Sequence, residues 1–176
     1  MKRVLLHSCC GPCSTSVLES LRRDYDTTVF FYNPNVYPCE EYRRRLDAER
    51  SFCMNIGVEI IEGETNHVGW LDAVKGNEDV PEGGARCEIC FEYRLRETAS
   101  LAAQKGFDYF ATTLTVSPHK NYGLISKLGN KLAEEFGVAF LDRDFKKHDG
   151  FRKSIEISKE HSLYRQRYCG CEFSLR

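Results

Sequence analysis

No stretch of this 176-residue chain approaches the roughly 20 consecutive apolar residues that a membrane-spanning helix needs. Behind Met1-Lys2-Arg3 the apolar run Val4-Leu5-Leu6 is too short for the core of a secretory signal. The expected setting is therefore the reducing cytoplasm, with no membrane partner. A basic excess is missing too: the formal net charge is −1, so contact with nucleic acid must come from a local patch rather than a global field. Neither GxGxxG nor a Walker A sequence occurs, which leaves a dinucleotide or nucleoside triphosphate cofactor without local support. Repeats, low-complexity tracts and linkers are absent, and the length suits one domain, residues 1–176.

What the chain has in excess is cysteine, nine in all. In a reducing compartment an odd number of thiols points to metal ligation or thiol redox chemistry rather than to a disulfide framework. Seven of them fall into three close groups: Cys9-Cys10-Gly11-Pro12-Cys13, Cys87-Glu88-Ile89-Cys90 and Cys169-Gly170-Cys171. A structural zinc site would use Cys10, Cys13, Cys87 and Cys90 and leave three thiols idle. An iron–sulfur cluster takes four thiolates, and the surplus would serve a second metal or a redox pair. Count and clustering favour iron, although soft thiolate sets accept either metal. Cys13 and Cys87 fall near expected helix starts, where the helix dipole lowers a thiol pKa. Cys39 and Cys53 read as bystanders, Cys53 as a small apolar group on a helix face.

Hydrophobic periodicity predicts strands over 4–7, 27–32, 58–61, 107–113 and 138–141. Helices are predicted over 14–23, 40–56, 86–104, 123–136 and 150–159, with a short one around Trp70. Such alternation implies a mainly parallel, doubly wound α/β sheet. Ligands of such sheets sit outside the carboxyl ends of the strands, where the first cysteine group lies. The tail beyond Asp142 has no further strand and is expected to fold over the site.

Other candidates lie nearby in this scheme. His119, in the loop Ser117-Pro118-His119-Lys120-Asn121, is either a proton donor or a solvated loop residue. Asp142 and Asp144 follow the last strand as hard ligands, general acids or turn caps. His7 and His67 read as structural. Basic residues gather at Arg43-Arg44-Arg45 with Arg50, and at Arg143, Lys146, Lys147, Arg152 and Lys153. Tyr164, Arg165, Arg167 and Tyr168 interleave aromatic and basic groups beside the third cysteine pair, a mixture suited to phosphates and an unstacked base.

Leu5-Leu6-His7-Ser8-Cys9-Cys10-Gly11-Pro12-Cys13-Ser14, Phe31-Tyr32-Asn33-Pro34-Asn35, Arg86-Cys87-Glu88-Ile89-Cys90-Phe91, Thr112-Thr113-Leu114-Thr115-Val116-Ser117-Pro118-His119-Lys120-Asn121 and Tyr164-Arg165-Gln166-Arg167-Tyr168-Cys169-Gly170-Cys171 together resemble the cobalamin-independent epoxyqueuosine reductases (QueH). The resemblance runs from near residue 4 to the C-terminus. It implies the last step of queuosine synthesis, reduction of epoxyqueuosine at the tRNA wobble position, with a [4Fe–4S] cluster and an additional mononuclear iron. It also implies an external electron donor and ligand roles among Cys9, Cys10, Cys13, Cys87, Cys90, Cys169 and Cys171, with the division between cluster and iron left open. Vicinal and CxC spacing suggests Cys9, Cys10 and Cys171 for the second metal. On this reading His119 or Asp144 protonates the departing oxide, while Tyr32, Asn33, Lys120, Asn121, Tyr164 and Arg165 contact the substrate. The competing readings are a metal-free thiol enzyme acting on tRNA and a zinc-stabilised RNA-binding module.

Overall fold

The computed structural model describes residues 1–175. Its sheet has five strands, all parallel, in the order β3-β2-β1-β4-β5. In chain order the elements are β1 (Lys2–Ser8), α1 (Gly11–Leu21), β2 (Tyr25–Phe31), α2 (Cys39–Ile56), β3 (Ile60–Glu62), α3 (His67–Val74), α4 (Ala85–Gln104), β4 (Tyr109–Thr112), α5 (Tyr122–Phe136), β5 (Ala139–Phe140) and α6 (Gly150–Glu160). A 3₁₀ turn, Thr113–Val116, continues β4, and another, Glu172–Leu175, closes the described chain. The predicted doubly wound α/β sheet is thus present, and every strand pair is parallel.

Residue alternation in β1 explains the layers. Leu5 points into one apolar cluster with Phe91 and Leu95 of α4 and Ile125 and Leu132 of α5. Val4 and Leu6 point the other way, onto Val17, Leu18 and Leu21 of α1 and Phe52 of α2. Period-2 side chains with both faces covered are what a buried parallel strand requires.

The chain leaves β1 towards β2 on one side and returns to β4 on the other, so the crevice beyond the end of β1 is the topological switch point. Cys9 and Cys10 occupy the turn there, and Cys13 is the third residue of α1. A Cβ on Gly11 would sit 3.2 Å from the Ala48 backbone and side chain, so glycine is what lets α1 meet α2 at this turn.

Two predicted boundaries move for physical reasons. The strand expected over 107–113 is confined to Tyr109–Thr112, because the Thr112 hydroxyl accepts the Leu114 N–H at 3.1 Å and turns the chain into the 3₁₀ segment. The first helix begins at Gly11 rather than at 14, with Pro12 in its opening turn, where a missing N–H is harmless.

Candidate metal centre and active site

The seven clustered cysteines separate into two sets. Among the described residues, Cys9, Cys10 and Cys13 form the one group whose ligand atoms all lie within 4.8 Å of one another. Cys9 Sγ and Cys10 Sγ are 3.8 Å apart. That matches the edge, about 3.8 Å, of a tetrahedron of sulfurs drawn around a single ion at roughly 2.3 Å.

The second set is built on α4 and the tail. Cys87 and Cys90, one helical turn apart, each feel the charge of both Cys169 and Cys171. Cys90 and Cys171 pack in a buried cluster with Trp70 and Val74. Cys171 therefore lies with the α4 pair, and Cys13 instead completes the Cys9/Cys10 group. The four sulfurs of this set are not drawn together as tightly as the first three. Each thiolate of a cubane binds a different iron, so wider spacing suits a cluster as the tight trio suits one ion.

The surroundings favour anionic sulfur. Thr113 Oγ1 donates to Cys9 Sγ at 3.5 Å, Gln166 Nε2 to Cys10 Sγ at 2.9 Å and the Gly83 N–H to Cys87 Sγ at 3.2 Å. The buried Trp70 indole N–H has no oxygen or nitrogen acceptor and faces the Cys90 sulfur. Arg94 is 2% exposed and, among the described residues, has no carboxylate partner; its Nη1 donates to Asn33 Oδ1 at 3.2 Å and its Nη2 meets no acceptor there. Burial alone would lower its pKa, yet the sulfurs of Cys90, Cys169 and Cys9 outweigh that and raise it. A buried guanidinium needs an anion beside it, and among the described residues only sulfur supplies one. The residues thus fit a thiolate-held metal centre on both sides.

Within the first set the thiols act on one another. Hydrogen bonds from Cys10 and then Cys13 hold the Cys9 thiol well below its ordinary value. The hydrogen bond to Cys10 pushes Cys13 up, and burial pushes Cys87 and Cys90 up. The lowering expected at Cys13 and Cys87 from their helix starts is thus overridden by thiol–thiol hydrogen bonding at one and by desolvation at the other.

Lys120 feels sulfurs of both sets. Burial would lower its pKa, but Cys169, Cys9 and Cys13 together raise it, so its ammonium stays charged. His119 is exposed, and its backbone N–H donates to Ser117 Oγ at 3.2 Å. Asp144 accepts the Lys146 N–H at 3.2 Å and pairs with Lys146 Nζ at 3.4 Å, which makes it a turn cap. Asp142 is saturated by Tyr122 Oη at 2.8 Å, Ser126 Oγ at 2.5 Å and Asn130 Nδ2 at 2.9 Å.

The other expected substrate contacts divide. Asn33 is buried, its amide N–H₂ tied to the Ser8 carbonyl at 2.8 Å, so it braces the end of β1. Asn121 Oδ1 caps α5 at Leu124 N, 3.1 Å away. Tyr32 is buried in a stack with Phe30 (5.5 Å, 6°) and Tyr93 (6.5 Å, 10°). Arg165 is exposed beside Tyr164, whose hydroxyl donates to Glu41 Oε2 at 2.6 Å.

No sequence motif signals how the tail is held down. Arg45, 2% exposed, donates from Nε to Glu41 Oε1 (2.9 Å), from Nη1 to the Cys169 carbonyl (2.8 Å) and from Nη2 to the Tyr168 carbonyl (2.9 Å). Arg45 looks like one of a solvated basic run, and only its depth in α2 distinguishes it from Arg43 and Arg44. Gly170, at φ 142°, lies under it; a Cβ there would meet Arg45 Nη1 at 3.0 Å. His7, fully buried, accepts from Thr112 Oγ1 and donates Nε2–H to the Tyr32 carbonyl, both at 3.0 Å. Desolvation lowers its pKa to about 4, so it is a neutral brace.

A profile described as "Epoxyqueuosine reductase QueH" matches residues 4–176. The chain belongs to the QueH family. A protein of Streptococcus pyogenes named epoxyqueuosine reductase QueH is 41% identical over 98% of this chain and 70% of its own length. Its namesake in Thermotoga maritima is 38% identical over 99% of this chain and 91% of its own. Among solved structures, one titled as a predicted subunit of tRNA methyltransferase from Methanocaldococcus jannaschii has a TM-score of 0.57 at 13% identity. It covers 93% of this chain and 89% of that one, a likeness of fold alone. No helix among the described residues is long and apolar enough to cross a membrane.

Proposed function

We propose that this QueH chain is a cytoplasmic epoxyqueuosine reductase acting on tRNA. The epoxide at the wobble nucleotide takes up two electrons and two protons, both C–O bonds break, a C=C bond forms and the oxygen leaves as water. The electrons come from an external donor. The observation that carries this reading is the pair of cysteine sets, one spaced for a single ion and one more open, with sulfurs of both acting on Lys120. Cys87, Cys90, Cys169 and Cys171 would hold a [4Fe–4S] cluster and Cys9, Cys10 and Cys13 an iron, supplying single electrons and a Lewis acid respectively.

The chain's own residues set the rest. Lys120 Nζ keeps its proton and places positive charge where the epoxide oxygen becomes an oxide. His119, next to it on an exposed loop, delivers a proton to the leaving oxygen. Asp144 is better suited to its turn than to that task, since Lys146 already holds its carboxylate. Gln166, bonded to Cys10, orients the tail across the site and limits water there.

The test is turnover under anaerobic conditions, with tRNA carrying epoxyqueuosine and a chemical reductant. The product nucleoside must lose the mass of one oxygen atom. Lys120→Met is expected to retain its iron and to lose roughly 10²-fold in turnover. Colourless protein holding about one zinc and reducing nothing would favour a structural zinc module instead.

A further inference from the structure

A cavity of about 660 Å³ lies outside the cysteine sites, between α2 and the start of α3, and is walled by Tyr37, Cys39, Tyr42, Arg43, Leu46 and His67. That is ample for one nucleotide. Tyr37 is 46% exposed and its ring stacks on His67 (5.7 Å, 22°), which in turn stacks on Trp70 (5.7 Å, 16°). His67 Nδ1 is held by the Pro34 carbonyl at 2.7 Å, and its Nε2 lies 2.9 Å from Glu172 Oε2. The result is an aromatic platform backed by buried rings, with its outer part open.

The platform is also tied to the metal-binding segment. The Tyr37 N–H donates to the Gly170 carbonyl at 2.8 Å, and the Tyr37 carbonyl accepts from the Tyr168 hydroxyl. Gly170 stands between Cys169 and Cys171, so whatever rests on Tyr37 lies next to the reaction site. On the rim, Arg50 is engaged by Glu62 at 2.5 Å and Asp47 at 3.3 Å, which neutralises the one acidic wall residue. Arg43 is exposed and pairs with no carboxylate among the described residues.

An open aromatic face beside an unpaired guanidinium matches an unstacked base and its phosphate. We propose that this cavity receives a single-stranded nucleotide of the tRNA loop flanking the modified one, its base stacked on Tyr37 and its phosphate on Arg43. The inference rests on the tRNA reading above and specifies which surface holds the loop.

The test uses anaerobically prepared, metal-loaded protein and a fluorescent anticodon stem–loop RNA, with a fully paired hairpin of the same stem as control. Tyr37→Ala is expected to weaken stem–loop binding roughly 10-fold, while Tyr37→Phe binds as the unaltered protein does. Arg43→Ala is expected to weaken binding and make it less sensitive to salt by about one phosphate contact. Independently of any variant, Cys39, an exposed thiol in the cavity wall, is expected to be protected from alkylation by the stem–loop and not by the paired hairpin, read by peptide mass. Unchanged affinity in Tyr37→Ala and Arg43→Ala, with Cys39 alkylated equally fast with and without RNA, would overturn the subsite. If that protein still reduced epoxyqueuosine in tRNA, the reaction would stand. A protein that neither binds nor reduces tRNA removes both.

Discussion

At the residue scale the site is shaped by buried charge. Arg45 and Glu41 pair in the interior of α2, and Arg45 also satisfies two carbonyls of the tail. Replacing Arg45 with Met takes the cation from the buried Glu41, leaving it the Tyr164 hydroxyl, and frees the tail, an effect on the order of 3 kcal/mol. The expected outcome is a lower melting temperature together with faster hydrogen exchange over residues 164–171. Loss of stability with unchanged exchange there would show that Arg45 does not hold the tail. Two other buried groups pull against each other with pH. Burial raises the Glu49 carboxyl from 4.5 to about 7, so its unfolded form ionises first and stability falls as pH rises across that range. Burial lowers His7 from 6.5 to about 4, so its unfolded form takes up a proton first and stability falls as pH drops across that range. Between 4.5 and 6.5 the two slopes oppose. Glu49→Gln removes one of them, and its chemical-denaturation stability is expected to gain roughly 3 kcal/mol on the parent above pH 7, with a steeper fall on the acid side. Parallel pH curves for parent and variant would contradict a neutral buried Glu49.

At the element scale, the parts that repeat a simple pattern were legible. The apolar runs of β1 and β2, the amphipathic α4 and α5, and the position of the first cysteine turn at a strand end all follow from periodicity. The partition of the cysteines did not, because it depends on where the tail lands. Gly170 and the Arg45 contacts set that, and neither has a local signature: an i, i+4 Glu–Arg pair reads the same on a surface as in a core. Asn33 and Asn121 likewise have no local signature of their structural contacts: Asn33 bridges the Ser8 carbonyl and Arg94, and Asn121 Oδ1 caps α5. The approach of α1 to α2 is a tight joint. Gly11→Ala presses a Cβ against Ala48 at 3.2 Å. It is expected to destabilise by about 1–3 kcal/mol and to disturb the Cys9/Cys10 turn more than the α4 pair. Thermal melts and the iron retained together check this; an unaltered melt and iron content would mean the helices part without strain.

At the scale of the whole molecule, the sheet's switch point, the α4 start and the C-terminal tail converge from distant parts of the chain on one charged centre. The near-zero net charge concealed it, since Arg94 and Lys120 face sulfurs that count as neutral in a formal tally. The proposed function requires two separate metal sets, and iron with acid-labile sulfide, measured on anaerobic single variants, tests that most directly. Cys90→Ser and Cys171→Ser are expected to lose sulfide together with most of the iron, about four atoms of a cubane. Cys10→Ser is expected to lose about one iron and keep its sulfide. Equal losses of iron and sulfide in all three, or zinc in place of iron throughout, would contradict it.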